Sequence, residues 1–309
     1  VNPPQTKPRN SSAAAHPPVA VVILNWNGRR DTLACLDSLS RLDYPNREII
    51  VVDNGSTDDS VARIRAAHPG VTLLETGANL GFSGGCNAGI RDALARGFRY
   101  VWLLNNDTQA DPAALSALVE TAERDADTGA VASVVYCLDR PGTVEIWGGG
   151  RVNLRTGKLR ILRAPAEPNC LFACSLLLRD DALHRAGLLD ERFFLYWEDT
   201  DLTLRIRRAG YRLAVAPDSR VHHRGSASTG RNSPTQALHY HRSAALFYRL
   251  HAPFPTLTTA GMIAIRTLRW IIKGKPENIP PTWRGAWSGM RATIPADALP
   301  KPLNRHEDH

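Results

Sequence analysis

Apolar positions in the first hundred residues fall in short continuous runs separated by stretches of helical period. Val19-Ala20-Val21-Val22-Ile23-Leu24 and Glu48-Ile49-Ile50-Val51-Val52 are β-branched and lack polar alternation, the pattern of strands buried on both faces. Between them Leu33, Leu36 and Leu39 recur at helical spacing behind Asp31, which reads as a helix cap, so the three segments form a βαβ unit. The pattern continues with a helix at 60–67, a strand at 71–75, a helix at 85–95 and a strand at 100–104. A further helix opens at Asp111-Pro112, where proline suits the first turn. Later segments read as a strand at 131–136, a tight loop at Trp147-Gly148-Gly149-Gly150 and a strand at 172–178. A helix at 202–210 ends at Gly210, and a strand at 211–216 ends at Pro217. The remainder turns helical, amphipathic at 239–250 and both basic and apolar at 262–272. Such alternation predicts an α/β fold with a mostly parallel, Rossmann-type sheet flanked by helices, followed by a C-terminal helical extension.

Ligands of such sheets lie at the carboxyl ends of the strands. Three of the first four predicted strands end in Asn25-Trp26-Asn27-Gly28, Asp53-Asn54-Gly55-Ser56-Thr57-Asp58 and Asn105-Asn106-Asp107. Turn formation explains Asn-Gly and Gly-Ser, but not an Asn or Asp at all three ends. A second polar cluster, Glu198-Asp199-Thr200-Asp201, packs three carboxylates into four positions. Crowding of this kind persists where a cation, a helix N-terminus or proton transfer sustains it. Asp199 or Thr200 as the cap of the following helix is compatible with a chemical role.

Taken in order, these motifs resemble those of the family 2 glycosyltransferases, inverting enzymes of the GT-A fold, and especially their bacterial rhamnosyltransferase-like branch. The resemblance spans residues 19–230 and rests on 22–28, 51–58, Asn79-Leu80-Gly81-Phe82-Ser83-Gly84-Gly85-Cys86-Asn87-Ala88-Gly89, 103–107, 197–201 and His222-His223-Arg224-Gly225-Ser226. It implies metal-dependent transfer of a sugar from a nucleotide donor, such as rhamnose from dTDP-rhamnose or a hexose from a UDP-sugar, to a polysaccharide or lipid-linked saccharide. By the same resemblance Asp53 accepts a hydrogen bond from the base, with Asn25, Asn27 and Asn54 beside it; an ionised acceptor strengthens such a bond. Gly84 and Asn87 belong to a glycine-rich segment through which backbone approaches the sugar and diphosphate, and Asn105 and Asn106 complete the donor set. Asn105-Asn106-Asp107 stands where the family carries Asp-x-Asp. Because Asn105 is neutral, Asp107 supplies most of the charge for Mg²⁺ or Mn²⁺, with His223 matching a further ligand seen in some relatives. A pair of surface histidines is the other reading of His222-His223. Asp199 matches the catalytic base, although spacing does not separate it from Glu198. A Rossmann dehydrogenase is disfavoured because G-x-G-x-x-G is absent after the first strand. The non-enzymatic alternative, an inactive nucleotide-sugar-binding module, sits poorly with joint retention of base, metal and nucleotide carboxylates.

Hydrophobic content of 43% against 22% charged describes a globular chain, and 309 residues suffice for one large domain with an appendage. The divisions expected are a disordered leader at 1–18, a catalytic domain at 19–235 and a basic helical extension at 236–309. Residues 1–202 carry 21 Lys and Arg against 25 Asp and Glu, whereas 203–309 carry 17 against 5, so the overall +8 is wholly C-terminal. Such a region suits phosphate or anionic lipid; without a nucleic-acid motif, nucleic acid is not an expected partner. Cysteines 35, 86, 137, 170 and 174 include no CxxC pair and read as buried thiols of a cytoplasmic protein. No run of about 20 uncharged apolar residues occurs, since Arg266 and Arg269 interrupt 260–272. As a helix, 262–273 gathers Ile265, Leu268 and Ile272 on one side and Arg266, Arg269 and Lys273 on another, with Trp270 at the boundary. It fits either a peripheral membrane contact or packing on the catalytic domain or a second subunit of a homo-oligomer.

Overall fold

The computed structural model describes residues 16–225 and 232–294; Ser226 of the last motif, most of the expected leader and the end of the basic extension lie outside them. The chain begins with β1 (Val19–Asn25), α1 (Arg29–Leu39), β2 (Arg47–Asp53), α2 (Ser60–Ala67), β3 (Thr72–Glu75), α3 (Gly81–Ala95) and β4 (Tyr100–Asn105). Then follow β5 (Thr108–Ala110), α4 (Ala114–Glu123), β6 (Thr128–Cys137), β7 (Val144–Trp147), β8 (Gly149–Asn153), β9 (Lys158–Ile161), β10 (Cys170–Leu171) and β11 (Ser175–Arg179). The last elements are α5 (Asp180–Ala186), α6 (Glu198–Arg208), β12 (Arg212–His223), α7 (Pro234–His251), α8 (Pro255–Ile272) and α9 (Ile279–Arg291).

One large sheet runs β3-β2-β1-β4-β11-β6-β12-β5, with β7 paired to β6, and a smaller one runs β10-β8-β9. Strands β3, β2, β1 and β4 are all parallel neighbours, and the rest of the large sheet is mixed. The continuous apolar run of β1 is explained by its two buried faces. Val19, Val21 and Ile23 pack with Leu36 and Leu39 of α1, Ile64 of α2 and Leu115 and Leu118 of α4. Ala20 and Val22 pack with Cys86 and Ile90 of α3, Leu183 of α5 and Leu202 and Ile206 of α6. A third core joins Phe193, Trp197 and Leu204 to α7, α8 and α9.

Several expectations are corrected. Asp31 does not cap α1; it sits in the first turn and pairs with Arg224 at 2.6 Å. Helix α3 starts at Gly81 rather than 85, and α4 starts two residues after Pro112. Residues 147–150 are not a loop: Gly148, at φ +68°, turns the chain, while Gly149 and Gly150 lie in β8. A Cβ on Gly149 would come within 2.1 Å of the Cys170 carbonyl oxygen, so those glycines permit strand contact. The strand expected at 172–178 is broken by a turn at 172–174. Pro217 does not end β12, which absorbs it in a register shift between Ala216 and Arg220. Neither Asp199 nor Thr200 caps α6, which begins earlier, at Glu198, after Trp197. Trp270 is not at a boundary but 7% exposed, its Nε1 donating to Thr282 Oγ1 at 3.1 Å. All five cysteines are buried and unpaired, and burial pushes the thiols of Cys35 and Cys170 up to about 12.

Candidate active site

Parallel register aligns the first two strand ends, Asn25 opposite Asp53. Asn25 Nδ2 donates to Asp53 Oδ1 at 2.7 Å, Thr32 Oγ1 donates to Asn25 Oδ1 at 2.7 Å, and Asn106 Nδ2 donates to Thr32 Oγ1 at 2.9 Å. The Ser56 N–H holds the other Asp53 oxygen at 3.0 Å. Asp53 is thereby fixed, carboxylate oriented, by the Asn25 amide and the Ser56 N–H, with Thr32 and Asn106 bracing Asn25 in turn. Asn27 adopts φ +50°, and its Oδ1 accepts from the Thr57 and Asp58 N–H groups at 2.8 and 3.2 Å, shaping the loop after β2.

Three other residues expected to meet donor are spent on scaffold contacts. Asn54 Nδ2 donates to Asn79 Oδ1 and the Gly81 carbonyl, while its Oδ1 accepts from the Leu80 N–H at 3.0 Å. Asn87 is 1% exposed and exchanges two hydrogen bonds with the Leu189 backbone, donating also to Glu191. Gly84 is buried within α3 against Leu80.

Beyond β4, the half-buried Asp107 meets His223 at the end of β12, Oδ1 to Nε2 at 3.2 Å. The other ring nitrogen faces Glu145 of β7 at 3.2 Å. Burial would raise the Asp107 carboxyl, yet the hydrogen bond and charge of His223, with backbone N–H groups, hold it below the usual range. Burial would likewise lower His223, but Cys174, Asp107 and Glu145 around it raise it far above its ordinary value. His222 lies apart, 3.2 Å from Asp111. Among the described residues no group of three or more His, Cys, Asp or Glu is arranged to hold a metal. Asp107 and His223 nevertheless supply one hard carboxylate oxygen and one imidazole nitrogen side by side. That pair fits Mn²⁺ or Mg²⁺, which would need phosphate oxygens or water to complete its coordination.

Backbone strain marks the start of α6: Tyr196 and Trp197 both take left-handed conformations, φ +70° and +71°. The Trp197 ring is held against Tyr240, Phe247 and Tyr248 of α7, with centroids 5.0–5.6 Å apart. The three carboxylates that follow diverge. Glu198 is 4% exposed, its Oε2 has no hydrogen-bond partner among the described residues, and burial with the charges of Asp199 and Asp201 pushes its carboxyl well above the usual range. Asp201 is buried between Arg205 (2.7 Å) and His251 (2.6 Å) and drops to about 2, the burial penalty being outweighed by those partners. Asp199 is half-buried; burial raises its carboxyl, against the N–H groups of Ala173 (3.0 Å) and Thr200 (2.6 Å) that donate to it.

The turn at 172–174 connects the parts. Ala173 holds Asp199, and the Cys174 carbonyl accepts from the Asn105 N–H at 3.1 Å. Cys174 is also one of the groups around His223. Asp53, Asn25, Asn106, Asn105, Asp107, His223 and Asp199 thus share one sheet edge. Thr32, Glu145 and His251 were not legible as members: each is an ordinary residue in sequence, brought in by the packing of its element.

A mixed α/β sheet with Asn and Asp at its parallel strand ends, an Asp–His pair beside them and a strained acidic helix start defines a GT-A glycosyltransferase. The chain belongs to glycosyl transferase family 2, whose family model matches residues 20–184. It is 30% identical over 240 residues to the N-acetylglucosaminyl-diphospho-decaprenol L-rhamnosyltransferase of Mycobacterium tuberculosis, covering 69% of this chain and 78% of that one. Galactofuranosyltransferase GlfT1 of Mycolicibacterium smegmatis is 28% identical over 205 residues, 63% of this chain and 67% of the relative. The mannosyltransferase PcManGT from Pyrobaculum calidifontis, solved with GDP-Man and Mn²⁺, shares the fold with a TM-score of 0.56 at 20% identity, over 92% of this chain and 78% of its own.

Proposed function

We propose that the chain is a metal-dependent inverting glycosyltransferase that moves a sugar from a nucleotide donor onto a lipid-linked saccharide. Asp199 is the base. The observation that carries this assignment is the divergence of the three carboxylates: Glu198 is sealed away and favours the neutral acid, Asp201 is consumed by the Arg205 ion pair and the His251 hydrogen bond, and Asp199 alone is both partly accessible and held in orientation. Asp199 takes the proton of an acceptor hydroxyl as that oxygen bonds to the anomeric carbon. The bond from that carbon to the diphosphate breaks on the opposite face, so a single displacement inverts the centre. A divalent ion at Asp107 and His223 would neutralise charge on the leaving diphosphate. Asp53 orients the base of the nucleotide, assisted by Asn25; Asn105 and Asn106 face the diphosphate side. Support for rhamnose from dTDP-rhamnose comes from the mycobacterial rhamnosyltransferase, and its name also points to a lipid diphosphate acceptor. In this reading 19–235 is the catalytic domain and the helices from 236 onward hold the enzyme at the cytoplasmic face of a membrane. Among the described residues no helix is long and apolar enough to cross one.

The test is Asp199→Asn beside Glu198→Gln. Asp199→Asn is expected to keep calorimetric binding of the nucleotide sugar with Mn²⁺ while turnover falls by about 10²–10⁴-fold, the scale of general base catalysis. Near-normal transfer by Asp199→Asn would remove the base role from this residue.

A further inference from the structure

Helix α8 is apolar on two sides. Thr258, Thr259, Met262, Ile263 and Trp270 face inward and are buried. On the opposite side Leu257, Ile265, Leu268 and Ile272 recur at helical spacing and are 72%, 54%, 58% and 74% exposed. A helix that only packed on its neighbours would carry polar residues there. Helix α9 extends the surface with exposed Trp283, whose Nε1 donates to Thr267 Oγ1 at 3.1 Å, and with exposed Trp287. A contiguous apolar surface of this kind marks an interaction site. Charge identifies the partner. Residues 232–294 contain eight Lys and Arg but one acidic residue, Glu277, and Trp beside aliphatics and cations is the composition of an element at a lipid interface.

At the C-terminal end of α8 an open pocket of about 210 Å³ is lined by Arg266, Arg269, Trp270, Ile272 and Lys273. The Lys273 ammonium lies 5.7 Å from the centroid of the Trp270 ring. From the same pocket Arg266 reaches inward, its guanidinium 5.3 Å over the ring of Tyr240, and Tyr240 lies 5.6 Å from the ring of Trp197, which immediately precedes Glu198 and Asp199. Through Arg266, Tyr240 and Trp197 the pocket is thus linked to the acidic start of α6, and through Ile272 it borders the exposed apolar ridge. We propose that it binds the diphosphate of a lipid-linked acceptor, the hydrocarbon chain lying along Leu268 and Ile272 and the attached sugar directed toward Asp199. Three cations around one small pocket exceed the single charge of a phosphodiester headgroup and match a diphosphate, which guanidinium groups bind through paired hydrogen bonds. Only the direction of the sugar rests on the transferase reading.

Farnesyl diphosphate, a short soluble lipid diphosphate, serves as probe, titrated into the full chain without donor and followed by calorimetry and by tryptophan fluorescence, since Trp270 lines the pocket. Saturable binding is expected, weakened about tenfold or more by Arg269→Glu with Lys273→Glu, both solvent-exposed, at unchanged thermal stability. Leu268→Asp is expected to weaken farnesyl diphosphate but not inorganic diphosphate. Equal binding of farnesol, or indifference to both sets of substitutions, overturns the proposal. So does binding of phosphatidylglycerol vesicles that farnesyl diphosphate does not relieve, which would make the surface a general membrane contact. Neither donor nor turnover enters this measurement, so its failure leaves the base assignment of Asp199 standing, and failure of that assignment leaves the pocket standing.

Discussion

Glu198, Asp199 and Asp201 are near neighbours in sequence, yet helical geometry sends each to different surroundings. Glu198 enters the interior near Cys86, Asp201 meets α7, and Asp199 points to the turn at 172–174. Their crowding was legible in the sequence, and so were the polar strand ends, because both are local patterns. What separated the carboxylates was burial by distant elements, which spacing does not report. Glu145 illustrates the same limit. It arrives on β7, an antiparallel neighbour of β6 fixed only by long-range pairing, and there it meets the Nδ1 side of His223. A carboxylate behind a ligating histidine fixes its ring orientation and raises its donor strength. Glu145→Gln is therefore expected to weaken Mn²⁺ binding, measured by calorimetry in the presence of nucleotide, by about tenfold; unchanged affinity would mean that Glu145 does not support the ligand.

At the scale of elements, the amino-terminal βαβ units were readable because continuous apolar strands alternate with helices of clear period. The later ones were harder. The glycines of 147–150 imitate a loop while permitting close strand approach, and Pro217 imitates a terminator while sitting in a bulge. Helix α3 started earlier than its apolar period suggests because its first turn is glycine-rich. Further along the helix, Gly89 lets α3 lie close on the sheet: a Cβ there would lie 2.6 Å from Val22 Cγ1 and 3.0 Å from Val52 Cγ2. Gly89→Ala gains helix propensity but forces α3 off β1 and β2. Overpacking should dominate, lowering stability by about 1–3 kcal/mol in urea denaturation, with no loss expected only if the strands can yield.

For the whole molecule, the apolar core that joins α6 to the C-terminal helices is accompanied by a buried polar link. His251 is lowered by burial, opposed by Asp201, and the neutral ring can accept from Arg208 at 2.7 Å while donating to Asp201 at 2.6 Å. The depressed Asp201 carboxyl contributes stability that is fully present above its ordinary value of 3.8 and is lost as pH falls toward about 2. Asp201→Asn should lower stability by roughly 2–3 kcal/mol at neutral pH. The difference between wild type and variant, followed by denaturation at a series of pH values, should shrink across the window from about 4 to about 2; a constant difference would show that the charge of Asp201 is not what joins the two regions.

The aromatic brace on Trp197 has a consequence in time as well as in space. Chains are made from the amino terminus and domains begin to fold as they emerge. The strand ends around Asp53 and Asp107 can form once the sheet is complete, but the left-handed turn at 196–197 is packed by Tyr240, Phe247 and Tyr248, which are synthesised some forty to fifty residues later. A nascent chain would acquire its polar strand ends first and the fixed setting of Asp199 last. On the proposed assignment, the residues that would hold the sugar nucleotide are therefore in place before the base that would use it.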